Sequence, residues 1–199
     1  MNFAAIALTV GALIQFFGGS LLYVLDTLKG KSKPNRMTFL IWTAGPFVGV
    51  AAGAAAGVTW WVLLPVFMAG FGPLAILLSS FKNPGAYWKL GVLDYTCGTF
   101  AVLALFLWVI TSDPLIAILF SIIADALAAF PTIIKSWKYP ETETGLNYFI
   151  ALCNVGLGLL VAPSHSFAQI GFLVYLFVCD VILTVAIYRV RFLKKFQKV

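Results

Sequence analysis

The chain has 199 residues, 62% of them apolar and 10% charged, with a mean hydropathy of +1.01. So few charges cannot cover a water-solvated surface, which excludes a soluble domain and predicts an all-α polytopic membrane protein. The net charge of +6 does not point to nucleic acid, because the basic residues collect in the gaps between apolar runs.

Seven apolar runs have roughly the twenty residues a helix needs to cross a bilayer. They are Phe3 to Leu28, Met37 to Gly57, Trp60 to Phe81, Leu90 to Ile110, Leu115 to Ile134, Leu146 to Ala162 and Phe167 to Tyr188. The first has no basic residue before it and outruns a signal-peptide core, so a permanent helix is expected. All 13 Lys and Arg follow the first, third, fifth and seventh runs, as Lys29 to Arg36, Lys82 and Lys89, Lys135 and Lys138, and the tail from Arg189. The positive-inside rule makes that side the cytoplasm, with the N-terminus outside and the C-terminus inside. The tail is a topology signal that also offers contact with anionic headgroups.

In the first run, Gln15, Gly19, Leu22 and Asp26 share one helical face. A shift of 106 residues places Ser121, Asp125, Ala128 and Thr132 on the same face of the fifth run, and pairs Lys29 with Lys135, Pro34 with Pro140, Thr38 with Thr144 and Trp42 with Tyr148. The chain therefore reads as two copies of a three-helix unit. Gln15 and Ser121 either bond a neighbouring helix or line a solute path. In the second run, Gly45, Gly49, Gly53 and Gly57 form a small-residue ridge for packing. Pro46 there, and Pro65 and Pro73 in the third run, free backbone carbonyls and are candidate hinges.

The fourth run has no counterpart under the shift. An odd linking helix keeps two three-helix units in the same orientation, which gives a 3+1+3 order of parallel repeats. Its Asp94 is expected to be solvated or paired with Lys. The gap TSDP starts the fifth helix, with Asp113 as N-cap and Pro114 in the first turn. In the fifth run Asp125 lies where hydrocarbon is expected and Pro131 removes a donor, while Lys135, Lys138, Glu141 and Glu143 mark the return to water. The sixth run carries Asn147 and Asn154 on one face, and an amide at mid-membrane needs a helix or solute partner. The seventh carries Asp180 and no mid-span Lys, which excludes a retinal Schiff base.

Cys97, Cys153 and Cys179 fall within spans as small packing residues, and His165, the single histidine, lies in an outer loop. No metal, cofactor or enzyme chemistry is therefore expected. The resulting divisions are 1–84 for the first unit, 85–112 for the linker and 113–199 for the second unit with its basic tail.

The three-one-three order, the outside N-terminus and the turn from Lys135 through Pro140 and Thr142–Glu143 to Gly145, preceded by Pro131, resemble the PQ-loop and SWEET superfamily of small-solute transporters, whose architecture the nicotinamide riboside transporters share. In motif the resemblance covers Pro131 to Asn154. The family's Pro-Gln pair is Pro131-Thr132 in the second copy and Leu25-Asp26 in the first; of its repeat prolines, Pro46 and Pro131 match while Leu25 and Leu152 do not. Where cystinosin-like members carry a carboxylate, this chain has Asn154.

The resemblance implies a facilitator or proton-coupled carrier of a sugar, amino acid or vitamin, with rocking around Pro46, Pro73 and Pro131. Gln15, Pro46, Pro73, Asp125, Asn154 and Asp180 are expected at similar depth. Substrate-binding candidates are Gln15, Trp42, Asp125, Asn147, Asn154 and Asp180, with Asp125 the proton-coupling candidate or, alternatively, a helix-to-helix bond. Trp42 and Tyr148 read as an inner gate or as interface-belt aromatics. The partners are a small solute, the lipid bilayer and protons, with homo-oligomer assembly left open. The alternative is a sorting receptor or an accessory subunit on the same architecture.

Overall fold

The computed structural model describes residues 3–86, 88–111 and 113–196, and every regular element among them is helical. Seven long helices follow in order: α1 (Phe3–Leu28), α2 (Arg36–Ala55), α3 (Trp60–Lys82), α4 (Val92–Ile110), α5 (Pro114–Lys138), α6 (Gly145–Leu160) and α7 (Phe167–Phe196). All but α6 are long and apolar enough to cross a membrane. The 16 residues of α6 rise about 24 Å. Several such helices in one chain indicate a multi-pass integral membrane protein. Of the basic tail, Lys198 and the side chains of Arg191, Lys194 and Lys195 lie outside the described residues.

Local chemistry sets the helix ends. Asn35 caps α2, its Oδ1 accepting from the N–H groups of Met37 and Thr38 at 3.1 and 3.3 Å. Asp113 caps α5 as expected, accepting from Leu115 and Ile116 at 2.8 and 3.2 Å, with Pro114 in the first turn. The expected glycine ridge ends at Gly53. Gly57 instead stops α2 in the left-handed region at φ 74°, the Gly57 N–H reaching Ala54 O and the Val58 N–H reaching Gly53 O. Gly30, at φ 72°, ends α1 in the same way.

A π-helical stretch, Gln15–Ser20, interrupts α1. It inserts one residue into the turn and advances the inward face, so Gly19, Ser20, Tyr23 and Thr27 are buried while Leu22 and Asp26 are only partly so. The regular face expected from the sequence breaks there.

In space α3 lies between α1 and α2, and α7 lies between α5 and α6. The two sets meet along two seams, α1 against α6 and α2 against α5, so six helices close a ring. One core fills it: Tyr23, Phe39, Ile76, Ala129, Tyr148 and Leu183 supply one residue from each ring helix. The fourth helix packs outside the ring on α2 and α5, through Ala101 against Ile41 and Ala128. Its Asp94 is buried rather than solvated. One carboxylate oxygen accepts from the Asn35 side chain and the other from the Gly91 N–H at 2.6 Å, which fixes the start of α4 against the start of α2. Large apolar side chains such as Phe17, Phe106 and Val178 cover the outer faces, as a hydrocarbon solvent allows.

Candidate functional site

Polar groups concentrate on the two seams. Along α1 and α6, Gln15 Nε2 donates to the Asn147 carbonyl and to Asn147 Oδ1 at 3.2 and 3.3 Å, and Ser20 adds a second donor to that oxygen at 3.3 Å. One turn towards the start of α1, Asn154 Oδ1 rests directly against Gly11, where a β-carbon would collide with it. Towards the end of α1, Thr144 donates to Asp26 at 3.0 Å and shares a 2.7 Å hydroxyl bond with Ser32. Along α2 and α5, Thr132 donates to Thr38 at 2.8 Å and Thr38 donates to the Ala128 carbonyl at 2.6 Å. That carbonyl is beside the Leu127 carbonyl, whose usual helix donor Pro131 removes.

At the loop end the seams are sealed. Tyr23, Phe39, Trp42 and Tyr148 form a closed circuit of edge-to-face rings with centroids 5.4 to 6.5 Å apart. Beyond it, Lys135 Nζ and Glu143 Oε1 make a 2.6 Å ion pair whose side chains are 1% and 0% exposed. Sequence alone placed these two residues in water. Their remaining hydrogen-bonding capacity is met in the interior: Glu143 Oε2 accepts from Tyr23 at 2.5 Å and Tyr148 at 2.9 Å, while Lys135 donates to the Lys33 carbonyl and lies 5.0 Å above the Trp88 ring. A backbone bond from Lys33 N to Thr142 O, 2.9 Å, fastens the α1–α2 loop to the α5–α6 loop.

Deeper in the bundle, Tyr175 on α7 donates to Asp125 Oδ2 at 2.8 Å. The Trp42 indole approaches the same carboxyl, yet its N–H falls short of a hydrogen bond and is shielded without a partner. Asp180 is within Coulombic range of both Asp125 and Tyr148. Gln15 Oε1, Asn154 Oδ1 and Thr184 Oγ1 are likewise shielded and without a partner among the described residues. Such atoms in an apolar interior each cost free energy unless something else meets them.

No protein-family model, curated protein or solved structure matches this chain. Its function is therefore argued from the geometry.

Of the six sequence candidates, the fold joins Gln15 to Asn147 on one seam and places Trp42 and Asp125 on the two helices of the other, while Asp180 lies on α7, off both seams. Contact between the Trp42 and Tyr148 rings, 6.5 Å apart, links the two groups, with Tyr148 buried and Trp42 partly buried. Asn154 lies further along the first seam, against Gly11 and away from the loop end. The candidate hinges Pro46, Pro73 and Pro131 all lie inside unbroken helices. Sequence reasoning missed Tyr23, because the π stretch moves it inward. It missed Tyr175, which carries no charge to flag it, and the burial of Lys135 and Glu143, whose spacing across a Pro-containing turn is not helical.

Proposed function

We propose that the chain carries a small polar solute across a membrane by alternating access between two three-helix units, α1–α3 and α5–α7, with α4 as the link. This is the architecture of the SWEET-like carriers, with α6 as the seventh span, the N-terminus outside and the C-terminus in the cytoplasm. The carrying observation is the pair of seams. Two sets of helices with the same first-third-second packing order meet chiefly along α1–α6 and α2–α5, and the unpartnered polar atoms of Gln15, Trp42 and Asn154 sit on those seams.

In this arrangement the cytoplasmic side is the closed one. Inward opening separates the two loops, which breaks the Tyr23–Glu143, Asp26–Thr144 and Lys33–Thr142 bonds and parts the aromatic circuit. The partners thus freed are hydroxyls, carboxylates and a backbone pair that water satisfies well, so opening costs little net hydrogen bonding. Pro46, Pro73 and Pro131 are the positions where the helices give. The test is a thermal-shift screen of purified protein against sugars, amino acids, nucleosides and polyols, followed by flux into proteoliposomes. A carrier is stabilised by its solute through mass action and exchanges it across the bilayer. A chain that no solute class stabilises and that moves none of them is not a carrier.

A further inference from the structure

We infer that the loop between α3 and α4, residues 83–91, is a strap that holds the loop end of the carrier shut, with Trp88 as its clasp on Lys135 and Tyr139. The inference rests on the carrier reading above and names the element that regulates its inward opening.

The loop is tied to the first unit at both ends. Asn83, which follows α3, donates through Nδ2 to the Thr27 and Leu28 carbonyls at 3.3 and 2.8 Å, at the end of α1 where a helix leaves carbonyls to be met from outside. Its Oδ1 accepts from the Gly85 N–H at 2.9 Å and sets the Pro84–Ala86 turn, in which Ala86 is buried. At the far end the Gly91 N–H donates to Asp94 at 2.6 Å, and Asp94 accepts from Asn35 at the start of α2.

The middle of the loop rests on the second unit. Trp88 packs on Tyr139 with ring centroids 5.5 Å apart, and the Lys135 ammonium lies 5.0 Å from the centre of the Trp88 ring. An ammonium has three hydrogens to give. Lys135 donates to Glu143 and to the Lys33 carbonyl, and among the described residues no further oxygen accepts from it. The indole face covers it instead. Aromatic faces attract an ammonium most strongly where water is excluded, and the Lys135 side chain is 1% exposed. Any movement of Lys135 and Tyr139 away from α1 and α2 therefore pulls them off Trp88. Water replaces the hydroxyl and carboxylate bonds broken along the seams, but it offers the uncovered indole ring no equivalent, so Trp88 biases the loop end towards closure.

The experiment uses the full chain in sealed vesicles, with Cys97, Cys153 and Cys179 replaced by Ala and Gln15→Cys as the reporter, labelled by an impermeant maleimide from each side. Trp88→Ala should raise the ratio of cytoplasmic to outside labelling about tenfold, within the range of a desolvated cation-to-ring contact. Asn83→Ala frees one end of the strap and leaves Trp88 in place; it should raise the ratio in the same direction, and it decides the matter if Trp88→Ala does not fold. Trp88→Phe keeps a ring face and should stay near wild type. An unchanged ratio in the alanine variants, with the wild type labelled from both sides, overturns the strap and leaves the carrier reading standing. Labelling that rises equally from both sides marks a loosened fold and also overturns the strap. Wild-type labelling from one side alone overturns the carrier reading, and the strap with it.

Discussion

Thr132 on α5 donates its hydroxyl hydrogen to Thr38 on α2 at 2.8 Å, and the residues 106 positions before the first and after the second, Asp26 and Thr144, are bonded to each other at 3.0 Å. One bond ties α2 to α5 and the other ties the end of α1 to the start of α6, so each seam is pinned once at corresponding positions. Thr38→Val and Thr144→Val should each destabilise by about 0.6 kcal/mol, the mean for interhelical hydrogen bonds in membranes. Double-mutant cycles against Thr132→Val and Asp26→Asn, read from unfolding in detergent, should give similar coupling on both seams. Coupling on one seam alone would show that the two bonds are not equivalent.

The Lys135–Glu143 pair should be costly to halve. Lys135→Met or Glu143→Gln leaves one charge buried and unpaired, an expected loss of about 3–5 kcal/mol. The double variant removes both charges and should recover most of it. Thermal unfolding of the three proteins checks this, and a double variant as unstable as the singles would contradict it.

Gly11 lets Asn154 approach the backbone of α1. In Gly11→Ala the new methyl meets Asn154 Oδ1, with an expected cost of about 1–3 kcal/mol. Adding Asn154→Ala should relieve the clash, and the unfolding temperatures of single and double variants decide it.

Asp125 is the proposed proton-coupling group. Asparagine matches its size and polarity but cannot take up or release a proton. Asp125→Asn is therefore expected to abolish uptake driven by a pH gradient while sparing solute exchange at equal pH. A wild-type protein indifferent to the gradient, or a variant that still responds to it, assigns Asp125 to solute binding or helix contact instead.

Most helix limits were legible because hydropathy and capping residues are local signals: Phe3–Leu28 agrees at both ends, and Asp113 and Pro114 start α5 as read. What was not legible depended on registry or on distant partners. The π stretch at Gln15–Ser20 turns Tyr23 inward, and nothing in QFFGGS announces it. Lys135 and Glu143 look like interface residues because charge in a turn usually meets water; their burial requires Tyr23, Tyr148 and the Lys33 carbonyl, which come from elsewhere in the chain. Asp94 was misjudged for the same reason, its partner Asn35 lying 59 residues away. Of the candidate site, Gln15 with Asn147 and Trp42 with Asp125 were found because polar groups in long apolar runs stand out. Tyr175 and Thr184 do not.

The central claim is that the two three-helix units open alternately, and accessibility of Gln15 from each side of the membrane tests it most directly. Gln15→Cys is placed in a chain with Cys97, Cys153 and Cys179 replaced by Ala, together with Ser32→Cys and Thr144→Cys, positions whose hydroxyls are 2.7 Å apart. In sealed vesicles of either orientation, an impermeant maleimide should reach position 15 from both sides while the 32–144 pair is kept from joining, its thiols reversibly blocked. Once that pair is oxidised, labelling from the cytoplasmic side should stop and labelling from the outside should persist. Cytoplasmic labelling that continues with the loops locked together would contradict the account.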